Sequence, residues 1–348
     1  MINKMETTTP IAKLTSKDFA SDQEVKWCPG CGDYSILKQV QTIFPDLPVK
    51  KEDYVFISGI GCSSRFTYYM NTYGMHSIHG RACAIASGVK SANPHLSVWV
   101  ATGDGDALAI GGNHFIHLMR RNLDINVLMF NNQIYSLTKG QYSPTSEHGK
   151  ITKSTPYGTI EEPFNPAELA LGAKGTFVAR AMDRDPKQMQ SILKRAYEHK
   201  GTSFVEVYQN CPVFNDEAFF IFTEKETKKT ETIFLEHGKS IVFGTNSEKG
   251  IKLDGLKPVI VNLNENGNSI NDLWIHDEKD KTKAYILARM FDDPHQQNHF
   301  PRPFGILYVE DRPVYEDEME QQINFITEKK GKLPLNQILS GDKIWAIS

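Results

Sequence analysis

Residues 97–108 read SVWVATGDGDAL: an apolar, β-rich run from Ser97 to Thr102 gives way at Gly103 to Asp104, Gly105 and Asp106, and then to a helical stretch. A run of that composition predicts a strand buried on both faces, as in a parallel sheet. Loops at the carboxyl ends of such strands are where these sheets bind ligands, and glycines there let backbone N–H groups approach phosphate oxygens. Outward from this stretch, Tyr54–Ser58, Ile125–Asn131, Phe177–Ala181 and Ser203–Tyr208 have the same strand character. Helical stretches alternate with them at Arg81–Ala92, Ala107–Arg121, Pro166–Gly172 and Pro186–Lys200, the last two opening on Asn-Pro and Asp-Pro. The alternation predicts an α/β fold: a parallel sheet with helices on both faces.

The 348 residues, 40% apolar and 23% charged, suffice for a sizeable core. Thirty-nine Lys and Arg against 42 Asp and Glu give a net charge of -3, which offers no broad surface for nucleic acid or an anionic membrane. The longest apolar runs are five residues and the amino terminus lacks the apolar core of a signal, so a cytoplasmic chain is expected. Residues 1–23 are polar and aperiodic and read as a flexible arm, 24–216 as the ligand-binding domain, and 217–348 as a C-terminal extension or subdomain. Residues 224–231, EKETKKTE, with six charges in eight positions, read as a solvated linker or an exposed face within that extension.

Asn131 and Asn132 end the strand that follows the GDGD loop, with 25 positions between Gly105 and Asn131. One helix and one strand fill that interval, so the second loop returns beside the first and brings the Asp104 carboxylate near the Asn132 side-chain oxygen. Hard oxygen ligands with room for diphosphate oxygens suit Mg²⁺. Five cysteines are too few for a disulfide scaffold. Cys28 and Cys31 lie in WCPGCG, Cys62 in GIGC at a strand exit, and Cys211 in NCPVF at another exit on the same sheet edge. Spacing alone leaves open a zinc site, an iron–sulfur site or unrelated buried thiols. A thioredoxin-type pair fits poorly, because WCPGC follows the polar SDQEVK rather than a core strand. Cys83, on a small-residue helix, reads as a core thiol, His114 and His117 as ordinary helix residues, and Tyr68 and Tyr69 as core aromatics.

GDG followed at this distance by NN resembles the thiamine-diphosphate enzymes. The series WCPGCG, GIGCSSRF, HGRA, GDGDALAIGGNH, FNNQIYSLTKGQYSPTS and NCPVFND, over residues 24–216, resembles the β subunit of 2-oxoacid:ferredoxin oxidoreductases, most closely the 2-oxoglutarate type. That resemblance implies Mg²⁺ on Asp104, Asn132 and the main-chain oxygen of Ile134. It puts thiamine diphosphate against Ile60, Gly61, Cys62, Ser63, His79, Gly105, Asp106, Ser136 and Leu137. It also implies one four-iron four-sulfur cluster on Cys28, Cys31, Cys62 and Cys211, with CoA collecting the acyl group and ferredoxin the electrons. Arg65 is a candidate for the substrate carboxylate and His79 for the reacting end. The family's activating Glu comes from a separate domain, so an α subunit is expected to complete the site. Pyruvate or branched 2-oxo acids are the alternative substrates, and a zinc-stabilised scaffold without catalysis is the alternative class.

Overall fold

The computed structural model describes residues 13–265, 267–290, 299–341 and 344–345. Its strands are β1 (Tyr54–Ser58), β2 (Tyr73–His76), β3 (Ser97–Gly103), β4 (Ile125–Asn131), β5 (Ile134–Tyr135), β6 (Gln141–Tyr142), β7 (Phe177–Met182), β8 (Ser203–Tyr208), β9 (Thr232–Phe234), β10 (Val242–Phe243), β11 (Lys249–Asp254), β12 (Lys257–Asn262) and β13 (Arg302–Val309). Eight of them form one sheet in the order β2-β1-β3-β4-β8-β7-β13-β9. It is parallel from β2 to β7, while β13 runs antiparallel to β7 and parallel to β9.

Side chains alternate across this sheet as the pleat requires. Val98 and Val100 of β3 and Ile125, Val127 and Met129 of β4 enter one core, and Trp99, Ala101, Leu128 and Phe130 enter the other. The principal helices are α1 (Asp33–Ile43), α2 (Phe66–Tyr69), α3 (Ala82–Ala92), α4 (Asp104–Leu108), α5 (Gly112–Arg121), α6 (Pro166–Gly172) and α7 (Pro186–Glu198). Helices α3, α5 and α6 cover the first core, and α1 and α7 the second. Both Pro-led helices are capped as their sequences predict: the Asn165 side chain accepts from Glu168 N–H and the Asp185 side chain from Gln188 N–H.

The strands predicted to be parallel pair in parallel, and β9 and β13 from the last third join them, with β13 antiparallel to β7. β13 lies 125 residues from its register partner in β7 (Gly305 opposite Arg180) and 70 from its partner in β9 (Arg302 opposite Thr232), so local pattern could not reveal the pairing. The helix expected over Ala107–Arg121 is broken at 109–111, where a Cβ on Gly80 would stand 2.5 Å from Gly111 N. Two backbones cross too closely there for a continuous helix with side chains. Residues 13–23 are packed, not an arm: the buried Phe19 ring lies edge-on to Phe44 and Tyr54 at 5.5 and 5.7 Å; residues 1–12 lie outside the described set. Residues 224–231 include a short helix, and Lys228 Nζ reaches Asp185 Oδ2 at 2.9 Å, so this charged stretch is tied to the domain. Beyond it, β10–β12 form a three-stranded antiparallel sheet that packs Ile251 into the first core.

Candidate cofactor site

The carboxyl ends of β1, β3, β4 and β8 carry the loops predicted to hold ligands, and the structure brings them together. Ile60, Gly61, Cys62, Ser63, His79, Asp104, Gly105, Asp106, Asn132, Ile134, Ser136 and Leu137 all line one cavity of about 100 Å³. Asp104 is buried, and its Oδ2 accepts from the hydroxyls of Ser143 and Thr145 at 2.5 and 2.6 Å. Burial raises its carboxyl above the ordinary value. A cation beside it reverses that pressure. The Asn132 amide donates to Ser136 Oγ at 3.1 Å and Gln209 Oε1 at 2.8 Å, and its Oδ1 accepts from Ile134 N–H at 3.2 Å. A carboxylate, an amide oxygen and a loop carbonyl make a hard oxygen donor set that fits Mg²⁺. Gly61 has φ +124°, and nothing lies within 4 Å of where a Cβ would stand, which leaves its backbone open to a phosphate.

Asp106 plays a different part from the one its position in the loop implies. It lines the cavity, yet its Oδ1 accepts from His79 Nδ1, Gly80 N–H and Ile60 N–H at 2.6, 2.7 and 3.0 Å, and its Oδ2 accepts from Thr102 Oγ1 at 2.7 Å. Four donors on one buried carboxylate staple the β1 and His79 loops to the end of β3. Gly59 belongs to the same staple, since a Cβ there would lie 1.9 Å from Asp106 Oδ2. His79 Nδ1 is thereby committed to Asp106, and Nε2 is the ring nitrogen left for other contacts. Tyr135 closes the floor by donating to Gly105 C=O at 3.0 Å. A Gly105→Ala methyl would stand 2.3 Å from Tyr135 Cε1. The expected result is a loss of about 1–3 kcal/mol, read as a lowered midpoint in denaturant at unchanged slope.

Cys28, Cys31, Cys62 and Cys211 line a second cavity, of about 220 Å³, together with Lys26, Arg65, Lys139 and Gln209. Trp27 Nε1 donates to Cys62 C=O at 2.7 Å and its ring meets Tyr69 edge-on at 4.8 Å, which docks the WCPGCG loop on the β1 exit. Gly32 N–H donates to Asn210 C=O, and a Cβ at Gly32 would lie 1.9 Å from Asp183 Oδ2, so this loop seats directly on the β7 and β8 exits. Burial pushes the Cys62 thiol up to about 12 and Cys31 higher still, with the buried Asp33 adding to both. Among the described residues no three His, Cys, Asp or Glu side chains close on a single ion. The four thiols border one cavity of about 220 Å³, a volume larger than a single ion needs.

The two cavities share a wall made by Cys62, Asn132, Ser136 and Leu137. Arg65 falls on the thiol side: its Nε donates to Tyr69 Oη at 3.2 Å, and it does not line the cavity of the GDGD loop. The residue expected at a substrate carboxylate is thus brought to the cysteines by the short turn after Cys62. Tyr69 is buried as predicted, whereas Tyr68 is half exposed and stacks on His76. Cys83, His114 and His117 line neither cavity.

Residues 59–207 match the model of the thiamine pyrophosphate enzyme C-terminal TPP-binding domain. The 2-oxoglutarate oxidoreductase subunit KorB of Mycobacterium tuberculosis is 48% identical over 335 residues, covering 95% of this chain and 88% of the relative. This chain is a member of the β-subunit family of 2-oxoacid:ferredoxin oxidoreductases. Within that family, the 2-oxoglutarate synthase subunit KorB of Methanothermobacter marburgensis is 43% identical over 66% of this chain and 77% of its own length. A solved 2-oxoglutarate:ferredoxin oxidoreductase from Magnetococcus marinus, with 2-oxoglutarate, coenzyme A and succinyl-CoA bound, matches with a TM-score of 0.73 and 31% identity over 98% of this chain and all of that one. No helix among the described residues is long and apolar enough to cross a membrane.

Several β-subunit residues at this site escaped sequence reasoning. Ser143 and Thr145, 39 and 41 positions after Asp104, reach it only because the β5–β6 hairpin folds back. Glu206 sits in mid-strand, where a charge in an otherwise apolar run was the available signal. It is fully buried, accepts from Arg180 Nε and from Asn131 Nδ2 at 2.8 Å each, and so holds the first Asn of the pair in place.

Proposed function

We propose that this chain is the thiamine-diphosphate- and iron–sulfur-carrying subunit of an enzyme converting 2-oxoglutarate, CoA and oxidised ferredoxin to succinyl-CoA, CO₂ and reduced ferredoxin, or the reverse. The observation that carries this reading is the wall shared by the GDGD and thiol cavities. Bound in them, thiamine diphosphate supplies an electron sink for loss of CO₂, and a four-iron four-sulfur cluster stores single electrons. The chain's own groups prepare those sites. Asp104, Asn132 and the Ile134 carbonyl hold Mg²⁺, with Asp104 aimed by Ser143 and Thr145. Gly61, Gly105, Ser136 and Leu137 border the diphosphate. Asp106 fixes His79, whose Nε2 is left free to take a proton at the reacting end. Cys28, Cys31, Cys62 and Cys211 ligate the cluster, and the Arg65 guanidinium offsets the negative charge of Cys62 beside it.

About 100 Å³ suits a diphosphate and its ion, but not the cofactor's two rings. The rest of the cofactor would extend beyond this cavity, where an α subunit would bring the activating carboxylate. The test is anaerobic expression with and without an α subunit, followed by an assay of 2-oxoglutarate, pyruvate and branched 2-oxo acids with CoA and a one-electron dye. Oxidation of 2-oxoglutarate by the complex, with none by the isolated chain, is the expected result. Turnover by the chain alone would overturn the shared site, and preference for pyruvate would reassign the substrate. A colourless, zinc-containing preparation would return the chain to the scaffold reading.

A further inference from the structure

We propose that the rim of the thiol cavity is the landing face for an acidic one-electron carrier protein, with Lys139 and Lys26 as its recognition charges. The inference rests on the iron–sulfur reading above and adds to it where electrons leave the chain. Three cations and no carboxylate line this cavity, in a chain of net charge -3. The concentration is local. The larger cavity beyond the Asn131 loop, about 880 Å³, is lined by Glu147, Glu162, Glu168 and Glu206 against Arg302 alone.

Lys139 is presented rather than merely exposed. It occupies the turn between β5 and β6 with φ +77°, its N–H donating to Ser136 C=O at 3.1 Å and the next N–H, of Gly140, to Tyr135 C=O at 2.9 Å. A Cβ on Gly140 would stand 2.9 Å from the Phe214 ring, so that turn is pressed onto the segment following Cys211. Lys139 makes no ion pair among the described residues, whereas Lys26 shares its charge with Glu24. Cys28 is exposed beside them, with Leu137 and Val213 exposed nearby. Exposed apolar side chains close to cationic ones fit a short-lived contact, in which charge sets the encounter rate and orientation while a small buried area permits release. The matching partner carries carboxylates around its own redox centre. Each such carrier takes one electron through this face and no atom is transferred, so two carriers are reduced for each 2-oxo acid oxidised.

The test uses the complete αβ complex and a strongly acidic ferredoxin. Affinity is measured by calorimetry at low and high salt for wild type, Lys139→Glu and the Lys26→Glu/Lys139→Glu pair. Carboxylate-to-lysine cross-links are mapped by mass spectrometry, and iron content serves as the folding control. The expected result is a Kd raised about tenfold or more in the double variant at low salt, a difference that closes at high salt, and cross-links at Lys139 in wild type. An unchanged Kd at low salt, or cross-links confined to another face, would overturn the docking assignment. Lys139→Gln covers a charge reversal that disturbs the hairpin, and an unchanged Kd in that variant at normal iron content also counts against it. Wild type without iron and sulfide would instead sink the proposed function.

Discussion

Cys62→Ser is expected to strip iron and acid-labile sulfide from the αβ complex and to lower oxidation of 2-oxo acid by more than about a hundredfold, since losing even a supporting group around a metal costs 10–100-fold. Cys62 has this weight because it belongs to both cavities. Its main-chain oxygen also receives the Trp27 indole, so its backbone docks the WCPGCG loop while its side chain lines the thiol cavity. Cys83→Ala is the control: that thiol is buried under the first core, lines neither cavity, and is expected to leave iron content unchanged. Colorimetric iron and sulfide assays decide the matter. Full iron content in Cys62→Ser would remove Cys62 from the ligand set.

The second large effect separates a ligand from a staple. Asp104→Ala is expected to lower the Mg²⁺-dependent affinity of the complex for thiamine diphosphate by about a hundredfold, or about 2.7 kcal/mol. Its hydroxyl partners Ser143 and Thr145 retain contacts with Ser146 Oγ and Asn131 Oδ1, so the fold is expected to survive. Asp106→Ala acts on the protein first, because it strands the N–H groups of Ile60, Gly80 and His79 together with the Thr102 hydroxyl. Buried donors left unpaired cost about 1–3 kcal/mol each. Thermal unfolding should therefore fall clearly for Asp106→Ala and little for Asp104→Ala, with titration calorimetry supplying the cofactor affinities. Equal loss of thermal stability in both would erase the distinction drawn between these two aspartates.

Sequence legibility differed sharply between residues two positions apart. GDG and NN were readable because both follow strands, and the interval between them fits one helix and one strand, so Asp104 and Asn132 could be brought together without coordinates. Asp106 was readable as a position in the loop but not as the acceptor of four donors, because three of those donors lie in two other loops. Arg65 shows the same limit: adjacency to Cys62 put it near the site, but only the turn after β1 decides which cavity it faces. Phe19 was missed because a lone aromatic in a polar stretch has no period, although it fills a gap between Phe44 and Tyr54.

By itself, the sequence determined the alternation of buried strands and helices, the edge of the sheet where loops gather, and the residue types available there for metal and phosphate. These follow from apolar period and from glycine, carboxylate and thiol chemistry, which are properties of short segments. Only the tertiary structure decided that the thiol and GDGD cavities share a wall, and that the last third of the chain completes the sheet. It also showed Asp106, while lining the cofactor cavity, accepting from donors in two other loops. Those outcomes depend on pairing between segments far apart in the chain, where the packing of one element against another, not local pattern, sets which atoms meet.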